Sequence, residues 1–154
     1  MDTPSNIFEQ LWLYNRWANG MVLSVFEKYG SQLPASSLRL MSHVLNAQLV
    51  WVSRIKGQIP SVGIWDEHDL DTCKKMNDLT FAALKEVIDG QPDYTGIRVS
   101  YKTSNGMAFE STWQEILLQV FTHAPYHRGQ IARDLREKGL EPVNTDFIMY
   151  TRMK

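Results

Sequence analysis

Along residues 5 to about 29, Ile7, Leu11, Tyr14, Ala18, Met21, Val22 and Val25 recur at three- and four-residue intervals, the rhythm of an amphipathic helix. The stretch "SNIFE" supplies an N-terminal cap, and Gly30 marks the stop. A second periodic segment, about Ser36 to Lys56, carries Leu40, Val44, Ala47, Trp51 and Ile55 as its core stripe and closes at Gly57. After the loop "QIPSVGIW", Met76, Leu79, Phe81, Leu84 and Val87 predict a third helix over about Asp69 to Asp89, with a less regular period. Between residues 97 and 110 the pattern changes. Ile97, Val99 and Tyr101 alternate with polar residues ahead of the turn signal "SNG", which predicts a two-stranded hairpin. Thr112 and Glu115 then form a T-x-x-E capping box that opens a last helix running to about Lys138, with Gly139 just past its end. In the tail "LEPVNTDFIMYTRMK", Phe147, Ile148 and Tyr150 are expected to pack on the body. Four helices of about twenty residues with short connections define an all-α four-helix bundle with a small β-hairpin before the last long helix.

Composition fits that picture. The chain has 154 residues, 44% of them apolar and 21% charged, with five Trp, six Tyr and six Phe. That is one domain, residues 1–154, with large side chains to bury and no disordered or repetitive segment. Sixteen Lys plus Arg stand against 17 Asp plus Glu, for a formal charge of −1, so no field of the whole molecule draws nucleic acid or an anionic membrane. No run reaches the roughly 18 apolar residues of a membrane helix. The single cysteine, Cys73, and an N-terminus without a basic or apolar leader lead us to expect a reducing, cytoplasmic setting.

The candidate chemistry lies in "FTHAPYHRGQIARDL". His123 and His127 are one turn apart on the same face, within reach of a common point. The apolar stripe of Ile116, Val120, Ala124, Ile131 and Leu135 centres about 80° from His123, which puts both histidines on its border. Gln119, Gln130 and Asp134 extend the same polar ridge. On the second helix, His43 holds the equivalent border position, again about 80° from the centre of its stripe. If the two helices are neighbours, three imidazoles meet in a site that suits zinc or nickel and leaves positions open for water or substrate. Periodicity alone also describes a solvated polar edge. His68 is read as a surface residue near the third helix cap, Arg128 as a structural residue pairing with a carboxylate or the tail, and Gly129 as a point of close helix packing. Pro125 deletes one backbone hydrogen bond, to the carbonyl of Phe121.

Three segments in order, "YNRWANGMVL", "MSHVLNAQLVWVSRIKG" and "HAPYHRGQIARDLREKGLEPVNTDFIMY", resemble the DinB/YfiT-like proteins over nearly the whole chain. That resemblance implies a metal-binding helix bundle in which His43, His123 and His127 are the ligands of a divalent ion, usually zinc or nickel. Many relatives carry a further histidine where this chain has Gln119, so three imidazoles remain here. It also implies homodimers and, in characterised relatives, thiol S-transferases using bacillithiol or mycothiol, hydrolases and isomerases. A cation held by neutral imidazoles brings a water or a thiol toward its deprotonated form near neutral pH, which serves hydrolysis or thiol transfer to a small molecule alike.

The alternative is a non-catalytic metal-binding protein of a stress or damage response, which predicts the same ligands under a closed surface. The family's damage-inducible name raises nucleic-acid binding, but Arg128, Arg133, Arg136 and Lys138 spread around the helix without interleaved aromatics. No residue is identified as general base: Asp134 and Glu115 lie about two turns from the histidines. Cys73 reads as an ordinary thiol.

Overall fold

The computed structural model describes residues 6–91 and 93–153. Its elements are α1 (Ile7–Tyr29), α2 (Ala35–Ile55), α3 (Leu70–Asp89), β1 (Arg98–Lys102), β2 (Ala108–Thr112), α4 (Trp113–Glu137) and a short α5 (Phe147–Thr151). The four long helices and the hairpin stand where periodicity puts them.

The helix starts are set by side-chain oxygens that satisfy otherwise orphaned amides. Asn6 accepts from the Glu9 amide at 2.9 Å, and Asp69 accepts from the Thr72 amide at 2.8 Å. At α4 the capping box is complete: the Glu115 amide donates to Thr112 Oγ1 at 3.1 Å, and the Thr112 amide to Glu115 Oε2 at 2.8 Å. Gly139 ends α4 in the left-handed region at φ 73°, where a side chain would be strained.

In the bundle, α2 packs chiefly on α4 and α3, and α1 on α3. The core divides into two apolar clusters. One gathers Val22, Leu23, Phe26, Met41, Leu45, Cys73, Met76, Ile131 and Leu135; the other gathers Phe8, Trp12, Val52, Leu84, Val87, Leu117, Val120 and Phe121. Between them each helix contributes buried polar residues: Asn15 and Asn19 from α1, Gln48 from α2, Asn77 and Thr80 from α3, Arg128 from α4. Arg128 Nη1 donates to Asn19 Oδ1 at 2.7 Å, and Gln48 Nε2 donates to Asn15 Oδ1 at 3.3 Å. Arg128 therefore pairs with amides and lies near the Tyr14 ring, not with a carboxylate. Tyr14 in turn donates to the tail carbonyl of Thr145 at 2.5 Å.

The antiparallel hairpin pairs Arg98 with Thr112 and Tyr101 with Phe109. It docks on α2 through Tyr101, whose ring meets Trp51 edge-on at 5.2 Å. In the tail, Phe147 and Tyr150 reach Tyr14 at 5.3 and 5.9 Å, whereas Ile148 stays exposed.

Three expected core positions are corrected. Ile7 is 65% exposed while Phe8 and Trp12 are buried, so the inner face of α1 is rotated toward its aromatics, which bury more area. Leu79 is 57% exposed, and α3 instead turns Cys73, Met76, Leu84, Val87 and Ile88 inward. Gly129 is exposed and a Cβ there would meet nothing within 4 Å, so it serves no close packing.

These face assignments are testable by denaturant unfolding. Leu45→Ala, at a fully buried site, is expected to cost about 2–5 kcal/mol, and Leu79→Ala to stay within about 0.5 kcal/mol.

Candidate metal centre

His43 on α2 and His123 and His127 on α4 meet at the seam between the two helices. The Nε2 atoms of His43 and His123 lie 3.2 Å apart, and those of His127 and His123 3.0 Å apart. The three ligand nitrogens all fall within 4.8 Å of one another. His43 and His127 are buried, at 6% and 9% exposure, and His123 is half-buried.

The rings are aimed by their other nitrogens. His43 Nδ1 is 2.9 Å from the carbonyl oxygen of Ile64, and His127 Nδ1 is 2.6 Å from Gln130 Oε1. Both partners are acceptors, so each Nδ1 carries the proton and each Nε2 presents a lone pair to the common point. Trp65 stacks on the His43 ring at 3.7 Å between centroids and 8° between planes, which fixes its tilt. The loop between α2 and α3 is itself anchored: Asn46 Nδ2 donates to the Asp66 carbonyl at 2.8 Å, and His68 Nε2 donates to Asn46 Oδ1 at 2.7 Å. His68 is thus half-buried and holds the loop that carries Ile64 and Trp65, a correction to its reading as a surface residue.

This geometry suits one cation. Metal–nitrogen bonds of about 2.0–2.1 Å separate ligand nitrogens by about 3.3 Å in a tetrahedral site and about 2.9 Å in an octahedral one. The two spacings around His123, 3.0 and 3.2 Å, fall between those values, and all three nitrogens lie within 4.8 Å of one another. With two of three nitrogens unprotonated toward the centre and only nitrogen donors present, the donor set is that of a borderline transition ion and not of magnesium or calcium. Without a cation the same cluster resists protons. Burial, and then the neighbouring His127 and His43, push His123 down to about 4 from its ordinary 6.5. Burial also lowers His43, with a further contribution from His127, against the raising effect of the Ile64 carbonyl.

An open cleft of about 580 Å³ lies beside the histidines. Its walls include His43, Trp51 and Arg54 from α2, the hairpin turn, and Gln119 and His123 from α4. Gln119 stands at the cleft wall one turn before His123. The other candidate groups lie elsewhere. Glu115 is used in the capping box and Asp134 accepts from Ser36 Oγ at 2.8 Å. Cys73 is fully buried in the core beside Ser42, and burial raises its thiol. The contacts sequence reading did not find are Ile64, whose contribution is a backbone carbonyl, and Trp65, which no spacing rule connects to His43.

Fold and cluster together define a helix bundle with three convergent imidazoles across one helix seam. The DinB family matches residues 1–154, and the chain belongs to that family. It is 23% identical to "Protein DinB" of Bacillus subtilis (strain 168) over 161 aligned residues, covering 94% of this chain and 93% of the relative.

The lowered imidazoles fix the sign of a pH effect. Unfolded histidines take up protons near 6.5, whereas folded His123 does so only near 4, so falling pH favours the unfolded chain across that interval. Metal-free protein is therefore expected to lose stability progressively from pH 6.5 to about 4, and His123→Asn to flatten that slope, as followed by urea unfolding across pH.

Proposed function

We propose that this chain is a metal-dependent enzyme in which His43, His123 and His127 hold one divalent ion, zinc or nickel, for thiol S-transfer or hydrolysis of a small molecule. One observation carries the reading: three imidazole nitrogens from two helices, with His123 3.0 and 3.2 Å from the other two and all within 4.8 Å of one another, converge beside an open cleft. A non-catalytic metal binder has no use for such a cleft, and the cleft favours the enzyme.

The protein's own residues supply three things. His43, His123 and His127 would hold the ion, and the cleft beside them would give an exogenous donor access to it. Ile64 and Gln130 hold the Nδ1 protons, which keeps both rings in the tautomer that binds through Nε2 and raises their basicity. Trp65 covers His43 and excludes water from that flank. Bound there, the cation supplies Lewis acidity that brings a water or a low-molecular-weight thiol such as bacillithiol or mycothiol to its reactive anion near neutral pH. Cys73 takes no part, being buried in the core. The homodimer and the cytoplasmic setting expected from the sequence are carried as part of this proposal.

Elemental analysis of purified protein tests the site. Wild type is expected to hold about one divalent ion per chain, and His43→Ala, His123→Ala and His127→Ala each to lose it while keeping the helical circular-dichroism spectrum. Unchanged metal content in those folded variants would falsify the assignment. Thiol consumption with a model electrophile, in wild type but not in the variants, separates an enzyme from a passive binder. Gln130→Ala, which removes only the tether of His127, should weaken metal affinity by about 10–100-fold in a competition titration with a chromogenic chelator.

A further inference from the structure

His43, Ala47, Trp51 and Arg54 fall on one stripe of α2 and floor the cleft beside the histidines. A second open cleft of about 420 Å³ adjoins it, sharing Arg54, Ile64, Thr103 and Ser104, so the two make one groove with Arg54 at the junction. The charge of this groove is one-sided. Arg54 and Lys102 line it, and no Asp or Glu does among the described residues, in a chain that has 17 of them.

Arg54 is also held ready for a ligand. Its guanidinium lies 4.5 Å from the Trp51 ring centre and 5.0 Å from that of Tyr101. These rings fix its position while its N–H edges stay available, and it forms no ion pair with a carboxylate among the described residues. Its one acceptor among the described residues is the Lys102 carbonyl, at a long 3.5 Å. A guanidinium held over two aromatic rings and lining an acid-free groove recognises an oxyanion through paired N–H donors.

The spacing limits the ligand further. Eleven residues of α2 separate His43 from Arg54, about 16 Å along the axis, and the backward lean of the longer Arg54 side chain shortens this to on the order of 12 Å. The geometry points to an elongated ligand bearing an oxyanion such as a carboxylate, its donor end at the three histidines and its charged end on Arg54. Short acids cannot span the two. This inference deepens the metal-enzyme reading and rests on it, because the donor end requires the cation. It assigns Arg54 as the residue that selects the substrate or thiol co-substrate by charge and length.

The test uses zinc-loaded full-length protein and calorimetric titration with two pairs of probes: 8-mercaptooctanoate against 8-mercaptooctanol, and 3-mercaptopropionate against 3-mercaptopropanol. Wild type should prefer the long acid to the long alcohol by roughly tenfold and show no comparable preference in the short pair. Arg54→Met should abolish the long-chain preference, leaving zinc content and alcohol affinity unchanged. Arg54→Gln, which keeps polar volume, should do the same, so a folding defect peculiar to one variant does not decide the outcome. Equal zinc-dependent affinity of long acid and long alcohol in wild type would overturn the role of Arg54 while leaving the metal site intact. Failure of wild type to take up zinc would instead overturn the metal reading, and this inference with it.

Discussion

The constraint on which this molecule turns is the contact between α2 and α4 that brings His43 against His123 and His127. Three imidazoles gathered at one point, two of them with lone pairs turned inward, do not hold two helices together by themselves. Burial disfavours the protonated forms of His123 and His43, and no carboxylate among the described residues is in contact to compensate. The seam must therefore be held by the rest of the bundle. Apolar clusters on either side do this, with Val44 and Ala124 at its centre and Val52 and Val120 further along. Between the clusters the Arg128, Asn19, Asn15 and Gln48 layer ties α1, α2 and α4 together. Sliding α1 against α4 by one turn would leave the guanidinium without its amide acceptors, a costly loss for a group only 3% exposed, and sliding α2 would break the Gln48 bond to Asn15. Gln48 and His43 share α2, so the register that keeps the Gln48 bond also places His43 opposite the α4 pair, and the buried polar layer and the histidine cluster depend on one alignment.

Ring orientation is a separate problem with a separate solution. Helix packing brings the imidazoles near one another, but the His43 and His127 lone pairs converge because each of those two rings has an acceptor at Nδ1. For His127 the acceptor comes from the same helix, three residues on, and for His43 it comes from the loop that follows α2. That loop has no regular structure of its own over residues 58–60, yet Asn46, itself on α2, gathers it by bonding the Asp66 carbonyl and the His68 ring. The helix that supplies His43 thus also anchors the segment that orients it.

Much of this was readable in the residues alone, and the parts that were not share a physical cause. Helix existence and ends follow from period and caps, and Thr112, Glu115 and Gly139 mark α4 within a residue. His43, His123 and His127 were legible as border positions because a histidine at the edge of an apolar stripe can reach both the seam and solvent. The exact inner face was less legible. Ile7 and Leu79 fit a periodic stripe as well as Phe8 or Met76 do, and only the position of the neighbouring helix decides between them. Arg128 was expected to find a carboxylate or the tail, as a buried cation near the chain end would; it finds amides from α1, a partner that no local pattern on α4 encodes. Ile64 acts through its carbonyl oxygen, an atom that every residue has, so its side chain carries no sign of the role.

The donor set also bears on why the site faces a groove. A structural zinc site usually spends thiolates on its cation, which cancel the charge and close the shell. Three neutral imidazoles cancel nothing, so in the proposed site the full double charge of the ion persists at the edge of a groove already lined by Arg54 and Lys102. Any molecule that completes such a shell is drawn in as an anion or becomes one on binding. An acid-free lining is what keeps that attraction from being spent on the protein's own carboxylates: an Asp or Glu at Gln119, one turn before His123 and on the cleft wall, would compete for the same open position. The glutamine offers a hydrogen-bonding amide there without a charge, which leaves the demand for negative charge to be met from outside the chain.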